Sequence, residues 1–433
     1  MISLDHWQQQ EYTHLKLGLG RIRKFLALAK NPEKRYPVIH VAGTNGKGST
    51  AAMIASILTA AGYTTGLYTS PHLFSVCDRI CLNAAPISKN ALDKLIVRYE
   101  RVAHQCALTF FEFVTGIAFI YFGHNDCDAV VIETGLGGRF DATNVIANPA
   151  VCVITQIGRD HQQVLGKRIA DIAREKAGII KKGSALVTGV TSSIAYRVIQ
   201  SIAEQKKSPV YRLGVDFTGT TVTTDWAKGR QQVSYRAITA PGSTVTADSM
   251  VCTVPLLGVH QAGNAAMAIA ATGVLQSAGW DITSGDIKKG LSITQWPGRF
   301  DVRRIRRGGS ERIVVIDGAH NPQAVTAFVN AWRKSPWGRS RQPFIFGILK
   351  DKDYRAVIRL LAPLMSEVVV VTVPSPRAVP AGDLAGLFTK YRCIKKIITA
   401  PSSSVAIELT KSNPVTAIVG SLYLAGEALT KIK

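Results

Sequence analysis

A chain of 433 residues, 46% apolar and 19% charged, has material for two or three packed domains, but no apolar run near the roughly eighteen residues that cross a bilayer. Its 7 cysteines are scattered without CxxC spacing and segment 1–10 has no signal-peptide core, which argues against a disulfide scaffold and for a cytoplasmic protein. The net charge of +23 is the outlier; its densest cluster (Arg299, Arg303, Arg304, Arg306, Arg307, Arg312) has a single aromatic, Phe300, and not the interleaved series a single-strand platform wants, so a solvated surface that favours acidic small molecules is expected rather than a nucleic-acid or membrane partner.

The first 36 residues carry a helical pattern, with Leu17, Ile22, Phe25, Leu26 and Leu28 among basic residues. An apolar run at 37–42 has strand length and leads into Gly43-Thr44-Asn45-Gly46-Lys47-Gly48-Ser49-Thr50; a helix-forming stretch, 51–58, follows. A strand that enters a glycine-rich turn and opens a helix frees backbone N–H groups at the positive end of the helix dipole, a cradle for phosphate oxygens. Lys47 would reach the terminal phosphates, and Ser49 or Thr50 would hold Mg²⁺. The loop is shorter than the usual Walker A spacing.

From Val38 to about Gly183, strand-length apolar runs at 65–69, 128–133 and 150–157 alternate with helical segments, which predicts a parallel sheet covered on both faces. Residues 184–251 differ: 218–224 and 231–239 alternate and are rich in threonine, as exposed antiparallel strands are. Residues 255–278 return to helix. Near Trp296-Pro297-Gly298-Arg299 a boundary falls, and a second α/β series follows with strands at 313–316, 344–349, 368–373 and 417–419. Gly308-Gly309-Ser310 reads as a hairpin within the arginine cluster. The expected architecture is α/β: a P-loop parallel-sheet domain, 1–296, followed by a smaller α/β domain, 297–433.

Chemistry-bearing residues gather at strand ends, where open parallel sheets bind ligands. Glu133 closes one strand and can hold a hard cation against the phosphates. A second glycine-rich loop, Gly135-Leu136-Gly137-Gly138-Arg139-Phe140-Asp141-Ala142-Thr143-Asn144, follows at once, and Ser70-Pro71-His72-Leu73 borders the same edge. Asp160-His161 ends the next strand. In the expected helix 167–182, Lys176 shares a face with Ile169, Ile172, Ala173 and Ile180. Its ammonium either snorkels to solvent or reaches the active edge, converted into a metal-binding carbamate. Asp317-Gly318-Ala319-His320-Asn321-Pro322 and Lys350-Asp351-Lys352-Asp353 close two strands of the second domain and suggest a cleft between domains. On these residues alone, a basic P-loop ATPase that binds nucleic acid competes with a small-molecule enzyme.

Taken in order, these segments resemble the folylpolyglutamate synthases and dihydrofolate synthases, the folate branch of the Mur ligase superfamily. Phe111-Glu112, Arg174 to Ile180, His260-Gln261 with Asn264, Pro297-Gly298-Arg299 and Gly420-Ser421-Leu422-Tyr423 extend the likeness over nearly the whole chain. The resemblance implies an ATP-dependent ligase in which ATP phosphorylates a carboxylate of dihydropteroate or a folate and the amine of L-glutamate attacks the acyl phosphate. It implies that Lys47, Ser49 and Thr50 cradle phosphates and that Ser70, Glu133 and His161 join Ser49 on two Mg²⁺ ions. Lys176 matches a carbamylated lysine and Asn264 an adenine contact; Arg299 and Asp317 match groups that bind phosphate and ribose from across the cleft. Phe111 and Asp141 resemble the lining of the pterin pocket, and His320 and Ser421 the site that receives glutamate. Departures are Asp78 where glutamate is commoner, Phe140 for leucine, and Arg159 for an apolar residue, which would alter the charge beside the metals. A bifunctional, monomeric enzyme serving both folate steps is expected; the alternative is either activity alone.

Overall fold

The computed structural model describes Trp7 and residues 18–238, 249–307 and 310–432. Leu17, the end of the expected strand at Thr239 and the turn Gly308-Gly309 lie outside the described residues.

Helix α1 (Gly20–Leu28) precedes β1 (Val38–Ala42), whose five residues are all buried. Helix α2 (Lys47–Ala60) starts inside the glycine-rich loop, and β2 (Thr65–Tyr68), β3 (Ile80–Leu82) and β4 (Ala85–Pro86) follow. Then come α3 (Lys89–Gln105), α4 (Phe110–His124), β5 (Ala129–Glu133) and β6 (Val151–Ile154). A short α5 (Gln162–Leu165), α6 (Ile169–Ala177), β7 (Ala185–Thr188), α7 (Ser193–Gln205) and β8 (Val210–Arg212) complete the series. The eight strands run in the order β4-β3-β2-β5-β1-β6-β7-β8, parallel from β2 to β8. Both faces are apolar because successive side chains alternate: Ile39 and Val41 pack with α2, while Val38, Val130 and Ile132 pack with the aromatic face of α4.

Two expectations need correction. The parallel sheet does not stop near Gly183 but continues through β7 and β8, since Leu186 and Val187 form a fully buried run. The helix expected at 167–182 ends at Ala177, because Gly178 lies against the backbone of Arg139, a contact that a side chain would block. Ile180 therefore does not extend the face of Lys176.

An antiparallel sheet of β9 (Phe217–Asp225), β10 (Arg230–Ala237) and β11 (Met250–Val254) matches the threonine-rich alternation. Its inner residues Phe217, Val233 and Tyr235 pack into the core shared by α2 and α8 (Val259–Ser277), next to α9 (Ser284–Ile293).

The last sheet has six strands: β12 (Asp301–Arg307), β13 (Ser310–Asp317), β14 (Gln342–Phe346), β15 (Met365–Val371), β16 (Lys396–Ala400) and β17 (Val415–Val419). Their order is β12-β13-β17-β14-β15-β16, with only β12 antiparallel. Helices α10 (Pro322–Lys334), α11 (Tyr354–Leu361), α12 (Ala381–Phe388), α13 (Ser403–Leu409) and α14 (Leu422–Lys431) cover it. The arginine cluster is largely an edge-strand surface: Arg303 pairs with Asp301, and Arg304 and Arg306 with Glu311. Arg299, which lines the cleft, and Arg312, which donates to the Ile407 carbonyl and to Thr410 and Thr416 from β13, are exceptions.

Candidate functional site

β1 delivers the glycine-rich loop to the carboxyl edge of the first sheet. Gly43 and Gly46 have φ of +148° and +87°, and a side chain on either would run into Thr155 or Asn264. The loop is pinned from below, with Thr155 Oγ1 donating to the Asn45 carbonyl at 2.8 Å and the Thr44 N–H to the Gln156 carbonyl at 2.6 Å. Its upper side, at the start of α2, faces a cavity of about 560 Å³. Gly43 through Ser49 line that cavity; Thr50 lies beneath it, fully buried, with its hydroxyl unpartnered among the described residues. The row of helix-end N–H groups with Ser49 fits a phosphate chain, whereas Thr50, expected to share that cradle, is not on the cavity wall.

Ser70, Glu133, His161 and Lys176 open onto the same cavity, and Asn264, Arg299, Asp317 and His320 close it from the other side. Lys47 Nζ is 3.7 Å from Glu133 Oε1, and the Ser70 N–H donates to Glu133 Oε2 at 3.2 Å. Burial raises Glu133 above the usual carboxylate range while Lys47 opposes it. Among the described residues no three His, Cys, Asp or Glu side chains gather as a metal cage. The donors on this wall are one carboxylate, Glu133, the side chains of Ser49 and Ser70 and the ring of His161, a sparse set that suits Mg²⁺ bound mainly through phosphates and water.

Lys176 is buried and donates to the Gly43 carbonyl at 2.7 Å, so it does not snorkel. Burial, and then the charge of Lys47, push its pKa down to about 7. Across the cleft, Asp317 accepts from the N–H groups of Phe300 at 2.8 Å and Ala319 at 2.7 Å; burial lifts it to about 6 despite Arg299. Asn264 stands against Gly46 and donates to Gln261 at 2.9 Å, and Gln261 in turn reaches Ser49 Oγ at 3.4 Å.

A second cavity, of about 530 Å³, is lined by Phe111, Asp141, His320 and Ser421. The ring of Phe111 lies on Gly135, and the Ser421 hydroxyl caps α14 by accepting from the Leu424 N–H at 3.0 Å. The two cavities share Ser70, Pro71, Gly135, Leu136, His161, His320 and Leu422, so they adjoin there. Of the departures, Asp78 holds its turn by accepting from the N–H groups of Phe74 and Ser75, Phe140 lines the second cavity, and Arg159 is exposed.

The contact of Lys352 with Asp160 and His161 was not foreseen from the sequence. Lys352 Nζ is 2.8 Å from Asp160 Oδ1 and 3.4 Å from His161 Nε2. Burial would raise Asp160, but Lys352, His161 and His320 together hold it well below the usual range. Burial, with Lys352 next, lowers His320 to about 4; His161, whose side chain is 38% exposed, is lowered in the same direction by the desolvation of the cleft and by Lys352, which favours the neutral ring that a metal ligand or proton acceptor needs. The strand-end position of Lys350-Asp351-Lys352-Asp353 was the only signal for Lys352.

Comparison with known proteins follows this geometry. The Mur ligase middle domain matches residues 41–272, and the Mur ligase, glutamate ligase domain, matches 298–421. Dihydrofolate synthase/folylpolyglutamate synthase of Bacillus subtilis is 35% identical over 97% of this chain and 96% of that protein. Folylpolyglutamate synthase of Lacticaseibacillus casei is 36% identical over 94% and 92%. Among solved structures, Mycobacterium tuberculosis folylpolyglutamate synthase complexed with ADP superposes with a TM-score of 0.87 at 30% identity, covering 99% of this chain and 97% of that one. E. coli FolC in complex with DHPP and ADP has a TM-score of 0.83 at 27% identity, covering 99% and 96%.

Proposed function

We infer the reaction from kinship: the chain belongs to the Mur ligase family and, within it, to the folylpolyglutamate synthase and dihydrofolate synthase branch. It is an ATP-dependent, ADP-forming amide ligase that adds L-glutamate to dihydropteroate, giving dihydrofolate, and to the γ-carboxyl of folates. The observation that supports the residue assignments is the meeting of the cavity lined by the glycine-rich loop with a second cavity at Ser70, His161 and His320. Residues 1–296 form the ATP-binding domain in this reading and 297–433 the glutamate ligase domain.

In this account the start of α2 and Lys47 hold the phosphate chain, with Arg299 and Asp317 reaching phosphate and ribose from the far wall and Asn264 the adenine. A substrate carboxylate enters from the second cavity, where Phe111 and Asp141 seat the pterin. Its oxygen attacks the γ-phosphorus and the bond to the departing ADP oxygen breaks. The amine of glutamate, held near His320 and Ser421, then attacks the acyl carbon; phosphate leaves and the amine gives up a proton. Mg²⁺ ions held by Ser49, Ser70, Glu133 and His161 would spread the charge of the transferring phosphoryl group. The residues themselves supply position and water exclusion.

Lys176 is the finer point. A buried amine with a lowered pKa is partly neutral near pH 7, and a neutral amine adds CO₂ and releases a proton. The resulting carbamate would turn a repulsion between Lys176 and Lys47 into an attraction and add an anionic metal ligand. No helix among the described residues is long and apolar enough to cross a membrane. We read the protein as a cytoplasmic monomer.

The test is phosphate release from ATP with a folate plus glutamate, against DNA or RNA alone. Release should need both small substrates. Stimulation by nucleic acid only would overturn the ligase assignment.

A further inference from the structure

His40 lies on β1, paired with Ile132 on one side and Cys152 on the other, and is 0% exposed. A polar ring in the centre of a parallel sheet is unusual company for Val38, Val130 and Ile132. Its Nε2 stands 2.9 Å from Thr143 Oγ1, and that hydroxyl donates to Asp141 Oδ1 at 2.6 Å. The single hydroxyl proton is committed to the carboxylate, so the hydroxyl oxygen accepts from His40. This fixes the imidazole as the neutral tautomer with its proton on Nε2. The other ring nitrogen, Nδ1, is buried with no hydrogen-bond partner among the described residues. An apolar side chain would fill the same space without that cost. What the ring supplies is the Nε2–H bond.

That bond sets the orientation of Asp141. Its Oδ1 also accepts from the Thr143 N–H at 3.0 Å, and its Oδ2 from the Leu136 N–H at 2.8 Å. All these donors lie on the protein side of a carboxylate that lines the second cavity. His40 ties this second glycine-rich loop to the strand that carries the phosphate loop, so one strand sets both the phosphate cradle and a wall of the substrate pocket.

We propose that His40 is a positioning residue for the pterin end of the substrate, acting through Thr143 on the Asp141 carboxylate. The inference rests on reading the second cavity as the pterin pocket.

The experiment measures KM for dihydropteroate and for ATP, with kcat, in His40→Leu, His40→Gln, Thr143→Val and Asp141→Ala. Loss of the Thr143 hydroxyl's bond to the carboxylate predicts an increase of about tenfold in the dihydropteroate KM for Thr143→Val, and loss of the neutral His40–Thr143 bond an increase of about fivefold for His40→Leu. The ATP KM should stay within about twofold, because the loop N–H groups are untouched. His40→Gln carries an N–H at a similar reach and should recover most of the loss. His40→Leu combined with Asp141→Ala should be no worse than Asp141→Ala alone. If His40→Leu does not fold, Thr143→Val reads the same relay from its middle.

A rise in both KM values together, or no recovery by His40→Gln, would overturn the proposal and make His40 a packing residue. The two levels fail differently. An unchanged dihydropteroate KM in Asp141→Ala removes the pterin-pocket reading and the relay with it. A raised KM in Asp141→Ala beside a normal one in His40→Leu and Thr143→Val removes the relay alone.

Discussion

Asn45, in the phosphate loop, and Asn321, at the start of α10, meet amide to amide across the cleft: Asn45 Nδ2 is 3.3 Å from Asn321 Oδ1, and Asn321 Nδ2 is 3.0 Å from Asn45 Oδ1. Asn321 also donates to Asp160 at 3.0 Å and caps α10 by accepting from the Ala324 N–H at 2.9 Å. Trp296, beside the domain boundary, packs against Gly48, where a side chain would come within 2.6 Å of the indole. The phosphate loop therefore feels the position of the six-stranded sheet directly. Asn321→Ser should keep the helix cap but lose the cross-cleft pair, and kcat/KM should fall about tenfold. Small-angle scattering with an ATP analogue and folate should show compaction in the parent and less in the variant. Identical profiles with and without ligands in the parent would argue for a permanently formed cleft.

Lys47 and Glu133 face each other at the phosphate end. Lys47→Ala should lower kcat by about a hundredfold or more while the melting temperature barely moves, because charge at the phosphates is lost rather than packing. Glu133→Ala should raise the Mg²⁺ requirement steeply or abolish turnover. Retained turnover at saturating ATP in the first, or an unchanged Mg²⁺ titration in the second, would leave those side chains structural.

Lys176→Ala should be inactive, and a small carboxylic acid should restore part of the activity by standing in for the carbamate. Stripping CO₂ should slow the parent enzyme reversibly. Continuous density for an unmodified ammonium, in crystals grown with bicarbonate and nucleotide, would contradict the carbamate.

Acid stability should carry the signature of His40. Burial lowers its pKa from 6.5 to about 3, so from pH 6.5 downward the unfolded chain binds a proton that the folded chain refuses. The stability from this group is complete above pH 6.5 and is lost as pH falls through that window, at about 1.4 kcal/mol per pH unit. Asp317, raised to about 6, works the other way between its ordinary value and 6, while His72, His161, His260 and His320, each lowered to about 4, add losses of the same sign, so the parent curve alone does not report His40. The comparison with His40→Gln isolates the histidine. Between pH 7 and pH 5, urea unfolding should show the parent losing about 2 kcal/mol more than the variant. Parallel losses would place the acid sensitivity elsewhere.

The strand-to-loop-to-helix passage at Gly43 was legible because its cause is local: the glycines, the apolar run before them and the helix after them are contiguous. Glu133 and the loop Gly135–Asn144 were legible for the same reason, as polar residues closing a buried strand. Lys352 beside Asp160, and Asn321 beside Asn45, were not, because each pair depends on how two separate sheets face each other. His40 was invisible too: on a strand, period two assigns it a face but does not say what lies opposite. β16 was missed because its residues are only half-buried at an edge, and β7 and β8 were obscured by the threonine-rich segment that follows them.

One active site is expected to serve two folate substrates through shared phosphate and glutamate machinery. The most direct measurement is incorporation of labelled glutamate by the purified protein, first with dihydropteroate and separately with a reduced monoglutamyl folate, each with ATP and Mg²⁺. The account predicts incorporation in both reactions, with stoichiometric ADP and loss of both in Lys47→Ala. Incorporation with one substrate only would contradict bifunctionality, and incorporation with neither would contradict the assignment itself.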